Sequence, residues 1–269
     1  MIRLTLRARP PVRLSLHGFT PERLAGLAAP AIEREALRQG NRLGVLGDWF
    51  GVDVTAGADD RLLISGADDR IDDVGAGMTR GELVVEGDVG ARAGLEMRGG
   101  RLTVQGSAGA GAATAMAGGE LRISGSVGDY LGTALPGERQ GMRGGVVIVG
   151  GNAGAGAGDR LRLGLIVVAG SAGRFCGSRM GAGTIVVGGQ IGEGAGAAMK
   201  RGTIVTLAGP WTLLPSFAES GVHGLVVQRL LARVLVQHGL GGLAERVGRL
   251  RRWQGDLAVG GRGEILTPP

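Results

Sequence analysis

The residues of this sequence best suited to chemistry are cations that recur at one spacing. Arg98, Arg143, Arg162 and Lys200 each follow directly after a methionine or leucine of a repeating column, and Arg80 and Arg201 lie one place further on. A guanidinium presents a planar fork that fits carboxylates. Stacked on one another, these residues form an interrupted basic ridge that would bind carboxylates of a substrate or of a neighbouring subunit; the plainer alternative is a solvated edge. A second candidate surface is the stretch 133–141, which carries Glu138 and Arg139 and has Tyr130, the only tyrosine, at its root. It lies in a repeat of 26 residues (120–145) whose neighbours have 19. Insertions in repeat proteins emerge as loops, often on the binding face, so this loop is expected to touch a partner.

Other reactive groups are sparse or badly spaced. Cys176 is alone, so it builds no intrachain disulfide, zinc finger or iron–sulfur cluster. His17, His223 and His238 lie far apart and form no metal-ligand spacing. Ser107, Ser126 and Ser171 have no His at a recognisable spacing and no nucleophile elbow. Gly154-Ala155-Gly156 and Gly192-Glu193-Gly194 are weak phosphate-loop signals, since no helix follows and the Gly-Lys-Ser/Thr of a P-loop is missing. Asp59, Asp60, Asp68, Asp69, Asp72 and Asp73 crowd one stretch without the nine-residue Gly/Asp repeat of calcium-binding β-rolls, and read as a solvated acidic turn. A glutamate pair for glycoside cleavage stays open, although aromatics that would stack sugar are only 3% of the chain. No residue is assigned a catalytic or metal-binding role.

The candidate residues must be positioned by a repeat. From residue 61 to 209 the sequence stacks on itself in lines of 19 (82–100, 101–119, 146–164, 165–183, 184–202), with longer lines at 61–81 and 120–145 and a last one begun at 203. A fixed period of this length marks a solenoid. Each line opens with a β-branched and leucine-rich run, such as Leu83-Val84-Val85 or Ile185-Val186-Val187, too short for a helix. Glycines follow in columns (Gly87, Gly106, Gly125, Gly151, Gly170, Gly189, and three places on), as one corner made repeatedly requires. Met78, Met97, Met116, Met142, Leu161, Met180 and Met199 share another column, which holds every methionine but Met1 and reads as an inward stack that fills gaps. The expected fold is all-β: a parallel β-helix (β-solenoid) with coils of ~19 residues. The first positions Glu82, Arg101 and Glu120 alternate in sign, then give way to Val146, Leu165, Thr184 and Thr203. That face is expected to be wet toward the N-terminal end and covered, by a partner or by the chain's own tail, toward the C-terminal end.

The flanks divide the chain into a small α+β lead-in (1–40), the Gly-rich β-helix (41–209) and a helical extension with a tail (210–269). In the lead-in, 1–7 and 12–16 alternate and could pair as a hairpin. Thr20-Pro21-Glu22 starts one helix, and 32–38, ended by Gly40, is a second helical candidate. Trp49 and Phe50 are expected to plug the open end of the solenoid, or else to contact a partner. Pro210-Trp211 and Pro215 break the repeat. Then 224–238 reads as an amphipathic helix with Val226/Val227, Leu230/Leu231 and Val234/Leu235 on one face, ended by Gly239, and 242–250 as another. A net charge of +6 favours an acidic partner. No basic run is interleaved with aromatics, which argues against nucleic acid, and no apolar run reaches membrane-spanning length. Without a signal-peptide core, the expected location is the cytoplasm.

The coils at 158–205 resemble the glycine-repeat domain at the C-terminus of the large glutamate synthase subunit. LGDWFGVD (46–53) before the repeats, LLPSF (213–217) after them and the ending GDLAVGGRGEIL (255–266) make the chain more similar to the C-type subunit of formylmethanofuran dehydrogenase and of its bacterial counterpart, the formyltransferase/hydrolase complex. With the repeats, these motifs cover about 41–266. The resemblance implies a complex that moves formyl from formyl-tetrahydromethanopterin to a methanofuran-type carrier and releases formate during formaldehyde oxidation. It implies a formyltransferase, an amidohydrolase-like hydrolase and a further subunit as partners, and no cofactor bound by this chain alone. The C-type subunit would be a non-catalytic scaffold, and the basic ridge would suit the glutamate tail of such a carrier. The arginine-rich, lysine-poor composition favours the hydrolytic version over the molybdenum or tungsten dehydrogenase. A stand-alone β-helix hydrolase of carbohydrates or esters, with an acidic cleft, is the alternative from another class.

Overall fold

The computed structural model describes residues 1–55, 60–209 and 212–269; the readings made on Asp59, Pro210 and Trp211 lie outside them. Each repeat pairs with the next in parallel and in one register. Glu82 lies beside Arg101, Arg101 beside Glu120, Glu120 beside Val146, Val146 beside Leu165, Leu165 beside Thr184 and Thr184 beside Thr203. One repeat is therefore one step of ~4.8 Å across the sheet. A second column of parallel bridges links Val89, Ala108, Val127, Ala153, Ala172 and Ile191. Alternate strand residues point to opposite faces, so Leu83 and Val85, or Ile185 and Val187, face inward and are buried. The methionine column and Leu161 are fully buried, as an interior stack requires.

Residues from both flanks join the same thirteen-stranded sheet. Strand Ile2–Leu6 lies parallel to the first repeat strand, Arg61–Ala67, and Phe50–Val54 closes that end antiparallel. At the other end Gly263–Thr267 continues the parallel series beyond Thr203–Thr206, followed by Leu250–Gly255 and Ala218–His223. The hairpin expected between 1–7 and 12–16 does not form, because Leu14–Ser15 pairs instead with Ala36–Gln39 and Ile71–Asp72 in a separate four-stranded sheet. Buried Ile2 and Leu4 extend the inward face of the first repeat and shield its open edge. The expected helix at 32–38 is corrected too. Helix α1 is Pro21–Leu24 and α2 is Ala29–Glu33, whereas Ala36–Gln39 is a strand that turns back at Gly40 (φ +58°) onto Arg42–Val45. Phe50 is fully buried and Trp49 half-buried against the core at this end.

The outward face of the sheet changes character along the stack. In the early repeats it carries Glu82, Arg101 and Glu120, and Glu120 pairs with Arg122. In the later ones Ile148, Val167, Val186 and Val205 lie outward and yet are buried, beneath α3 (Val226–Gln237) and α4 (Gly241–Arg246). The cover is the chain's own tail. Each such apolar side chain contributes roughly 1.5–3 kcal/mol when buried. Arg246 pins α4 by donating to the carbonyls of Gly188 and Leu207. The apolar pairs expected on α3 do not all face in: Leu231 and Leu235 are buried, while Val226, Val227 and Leu230 are exposed. The second helix ends at Arg246, since Leu250 already belongs to a strand. Among the described residues no helix is long and apolar enough to cross a membrane.

Candidate binding site

One corner of the stack carries the candidate residues. Between the bridge column and the methionine column each repeat turns through left-handed backbone, which glycine adopts without cost and other residues rarely adopt. Non-glycine residues there include Tyr130 (φ +63°), Arg160 (+57°), Phe175 (+59°) and Arg179 (+53°). Beside them lies a cavity of about 640 Å³. Arg160, Arg162, Arg179, Lys200 and Arg201 line it from successive repeats. Arg139 and Gln140 of the insertion wall one side, and Val259 of the 3-10 turn Leu257–Val259 another.

Arg139, Arg162, Lys200 and Arg201 thus meet at one place. Arg98 and Arg143 share the column of Arg162 but do not line the cavity. Arg80 is taken up by Asp60. Glu138 is exposed, and its carbonyl accepts from Arg160 Nη1 at 2.6 Å. Tyr130 lines an adjoining pocket. Among the described residues, Arg139, Arg162, Lys200 and Arg201 form no ion pair. Arg179 is different: its Nε and Nη2 donate to Asp159 at 2.9 and 2.7 Å, and Ser178 Oγ donates to the same carboxylate.

Arg160, Arg179, Phe175, Val259 and Asp256 were not legible as site residues. The two arginines directly precede Leu161 and Met180, a column that could have been searched. Asp256 had no signal in its glycine-rich surroundings. It ties the C-terminal turn to the last repeat, with Oδ2 accepting from the Ala198 amide and Oδ1 from that of Ala258, both at 3.0 Å. Burial works against its charge, but hydrogen bonds from Ser216 and from these two amides outweigh burial and hold the carboxyl below the ordinary aspartate value.

In the acidic stretch at the other end Asp69 is exposed, but Asp72 and Asp73 are not part of the solvated turn expected. Asp72 accepts from Arg13 Nε and from the Ala91 amide, both at 2.7 Å. Asp73 accepts from Arg92 Nε and Nη2 and from Ser15 Oγ. Both carboxylates are buried because arginines and an amide compensate them. These groups line a cavity of about 570 Å³. Among the described residues no cluster of three His, Cys, Asp or Glu is placed to hold a metal. Cys176 is fully buried, which pushes its thiol up to about 12.

No family model matches the chain. Over 92 residues it is 43% identical to the C-type subunit of the formyltransferase/hydrolase complex Fhc of Methylorubrum extorquens, an alignment that spans 34% of either protein, about a third of that relative. A chain of the crystal structure of the formyltransferase/hydrolase complex (FhcABCD) from Methylorubrum extorquens, solved in complex with methylofuran, is 42% identical, with a TM-score of 0.91 and 99% of both chains covered. The chain belongs to the family of C-type subunits of formyltransferase/hydrolase complexes. The motifs on which the sequence resembles this family lie at the ends of the stack. Residues 46–53 lead into the closing strand Phe50–Val54, Phe217 of LLPSF packs on the core, and 255–266 supply the Asp256 tie and most of the last parallel strand.

Proposed function

We propose that this protein is the non-catalytic scaffold of a formyltransferase/hydrolase complex, and that its basic cavity holds the glutamate tail of a methanofuran-type carrier. The stack is read as a parallel β-solenoid with coils of ~19 residues, closed by the segments 1–40 and 210–269. Its partners are a formyltransferase, an amidohydrolase-like hydrolase and a further subunit in the cytoplasm. The complex transfers formyl from formyl-tetrahydromethanopterin to the carrier and releases formate. The observation that carries the reading is the set of cations without carboxylates, Arg139, Arg162, Lys200 and Arg201, around one cavity. Clustered cations without counter-charges repel one another, and a flexible polyanion relieves that cost and gains an ion contact at each step. The similarity to a complex solved with methylofuran supports the choice of polyanion. Titrating the purified, carrier-free complex with tetraglutamate tests it. Changing Arg162, Lys200 and Arg201 to Gln should weaken binding strongly, and changing Arg98 and Arg143 to Gln should weaken it little. Equal affinity in all three proteins would sink the carrier reading. A pull-down of the tagged chain that returned a molybdopterin subunit instead of the hydrolase would move it to the dehydrogenase version.

A further inference from the structure

Next to the basic cavity is a second pocket of about 340 Å³, and the two share Arg179 and Ala198 as a common wall. Its other lining residues include Tyr130, Gly156, Phe175 and Ala197. Tyr130 and Phe175 are 54% and 46% exposed, although only 3% of the chain is aromatic. They occupy the same place in their repeats, where the column reads Arg92, Gly111, Tyr130, Gly156, Phe175, Gly194. Each large residue lies across the glycine of the next repeat. A Cβ on Gly156 would sit 2.8 Å from Tyr130 Cδ1, and one on Gly194 would sit 2.5 Å from Phe175 Cδ1. The Arg174 guanidinium lies 5.2 Å from the Phe175 ring centroid and polarises it.

Both rings hang from left-handed backbone, where a bulky side chain is strained. Each covers the next repeat's glycine with one edge only, and both stay among the most exposed large apolar residues of the stack. Asp159, at the back of the pocket, is closed off by Arg179 and Ser178 and presents no free charge. A cavity of ~150 Å³ is enough for a benzene-sized ring, so this one takes a planar group with room for its linker.

We propose that the Tyr130–Phe175 pocket is a subsite for a planar aromatic group joined to the anionic chain that fills the basic cavity. The inference rests on the carrier reading above and adds a direction to it. The ring sits toward Tyr130, and the carboxylates run past Arg179 to Arg162, Lys200 and Arg201. Two probes test it on the purified complex, acetyl-tetraglutamate and phenylacetyl-tetraglutamate. The aromatic cap is expected to raise affinity about tenfold, the size of one or two stacked rings. With Tyr130→Gly and Phe175→Gly together, the two probes should bind alike. Glycine suits the left-handed backbone, so the unfolding temperature should hold or rise; a fall would mean that the rings are packing elements and would overturn the subsite. An uncapped probe that binds without benefit from the cap, or a benefit that survives the double variant, overturns the aromatic subsite alone. Failure of both probes to bind overturns the carrier reading and the subsite with it.

Discussion

The two ends of the stack use arginine in opposite ways. Near the first repeats Arg13 and Arg92 each meet a buried carboxylate, Asp72 and Asp73; the first pair ties the lead-in to the repeats and the second ties one repeat to the next. Around the later repeats Arg139, Arg162, Lys200 and Arg201 meet none among the described residues, although Arg179 beside them is paired with Asp159. Paired charges at partly buried positions hold the fold, because losing one partner strands the other. Unpaired charges of one sign around a shared cavity repel one another and oppose folding slightly, a cost that a polyanion would relieve under the proposed carrier reading.

The largest test of that contrast is the change of Arg162, Lys200 and Arg201 to Gln. Three exposed ion contacts of up to ~1 kcal/mol each amount to a loss of roughly 30- to 100-fold in tetraglutamate affinity, read by calorimetric titration, with no loss of unfolding temperature. The same binding should weaken steeply as salt rises toward the range where the Debye length falls below ~8 Å. At the paired end, Asp72→Ala should leave tetraglutamate affinity unchanged and cost about 1–3 kcal/mol of stability, since it leaves Arg13 and the Ala91 amide without their acceptor; urea unfolding of the chain measures it. A smaller effect belongs to Asp256. Its folded carboxyl lies below the ordinary aspartate value. Its contribution is therefore complete above that value and is lost as the pH falls through the lower, folded one. Asp256→Asn should cost about 1 kcal/mol near neutrality and flatten the acid limb of the stability profile. The smallest expected effect is at Cys176. With its thiol pushed up to about 12 inside the core, it should resist alkylation at pH 8 in the folded protein and react only on unfolding.

The sequence by itself determined the repeat, its register and its inside. Residues 19 apart must superpose if one strand per repeat is to pair with the next, so Leu83, Leu102 and Leu121 fall in line and the methionines stack. It also brought out Arg162, Lys200 and Arg201, because a periodic chain turns a column in the text into a ridge in space, and Arg139, because an insertion interrupts that period. The tertiary structure alone decided what the flanks do. Alternation in 2–6 says strand but does not choose a partner, and only the open edge of the first repeat selects it. The helical periodicity of α3 shows two apolar edges, and the sheet beneath it settles that Leu231 and Leu235 face in. The arginines likewise look alike in the text. Asp72 takes up Arg13 from 59 residues away, and Asp256 reaches the cavity wall at Ala198 across 58. Charge neutralisation and cavity shape depend on distances between such remote segments, and no local spacing encodes them.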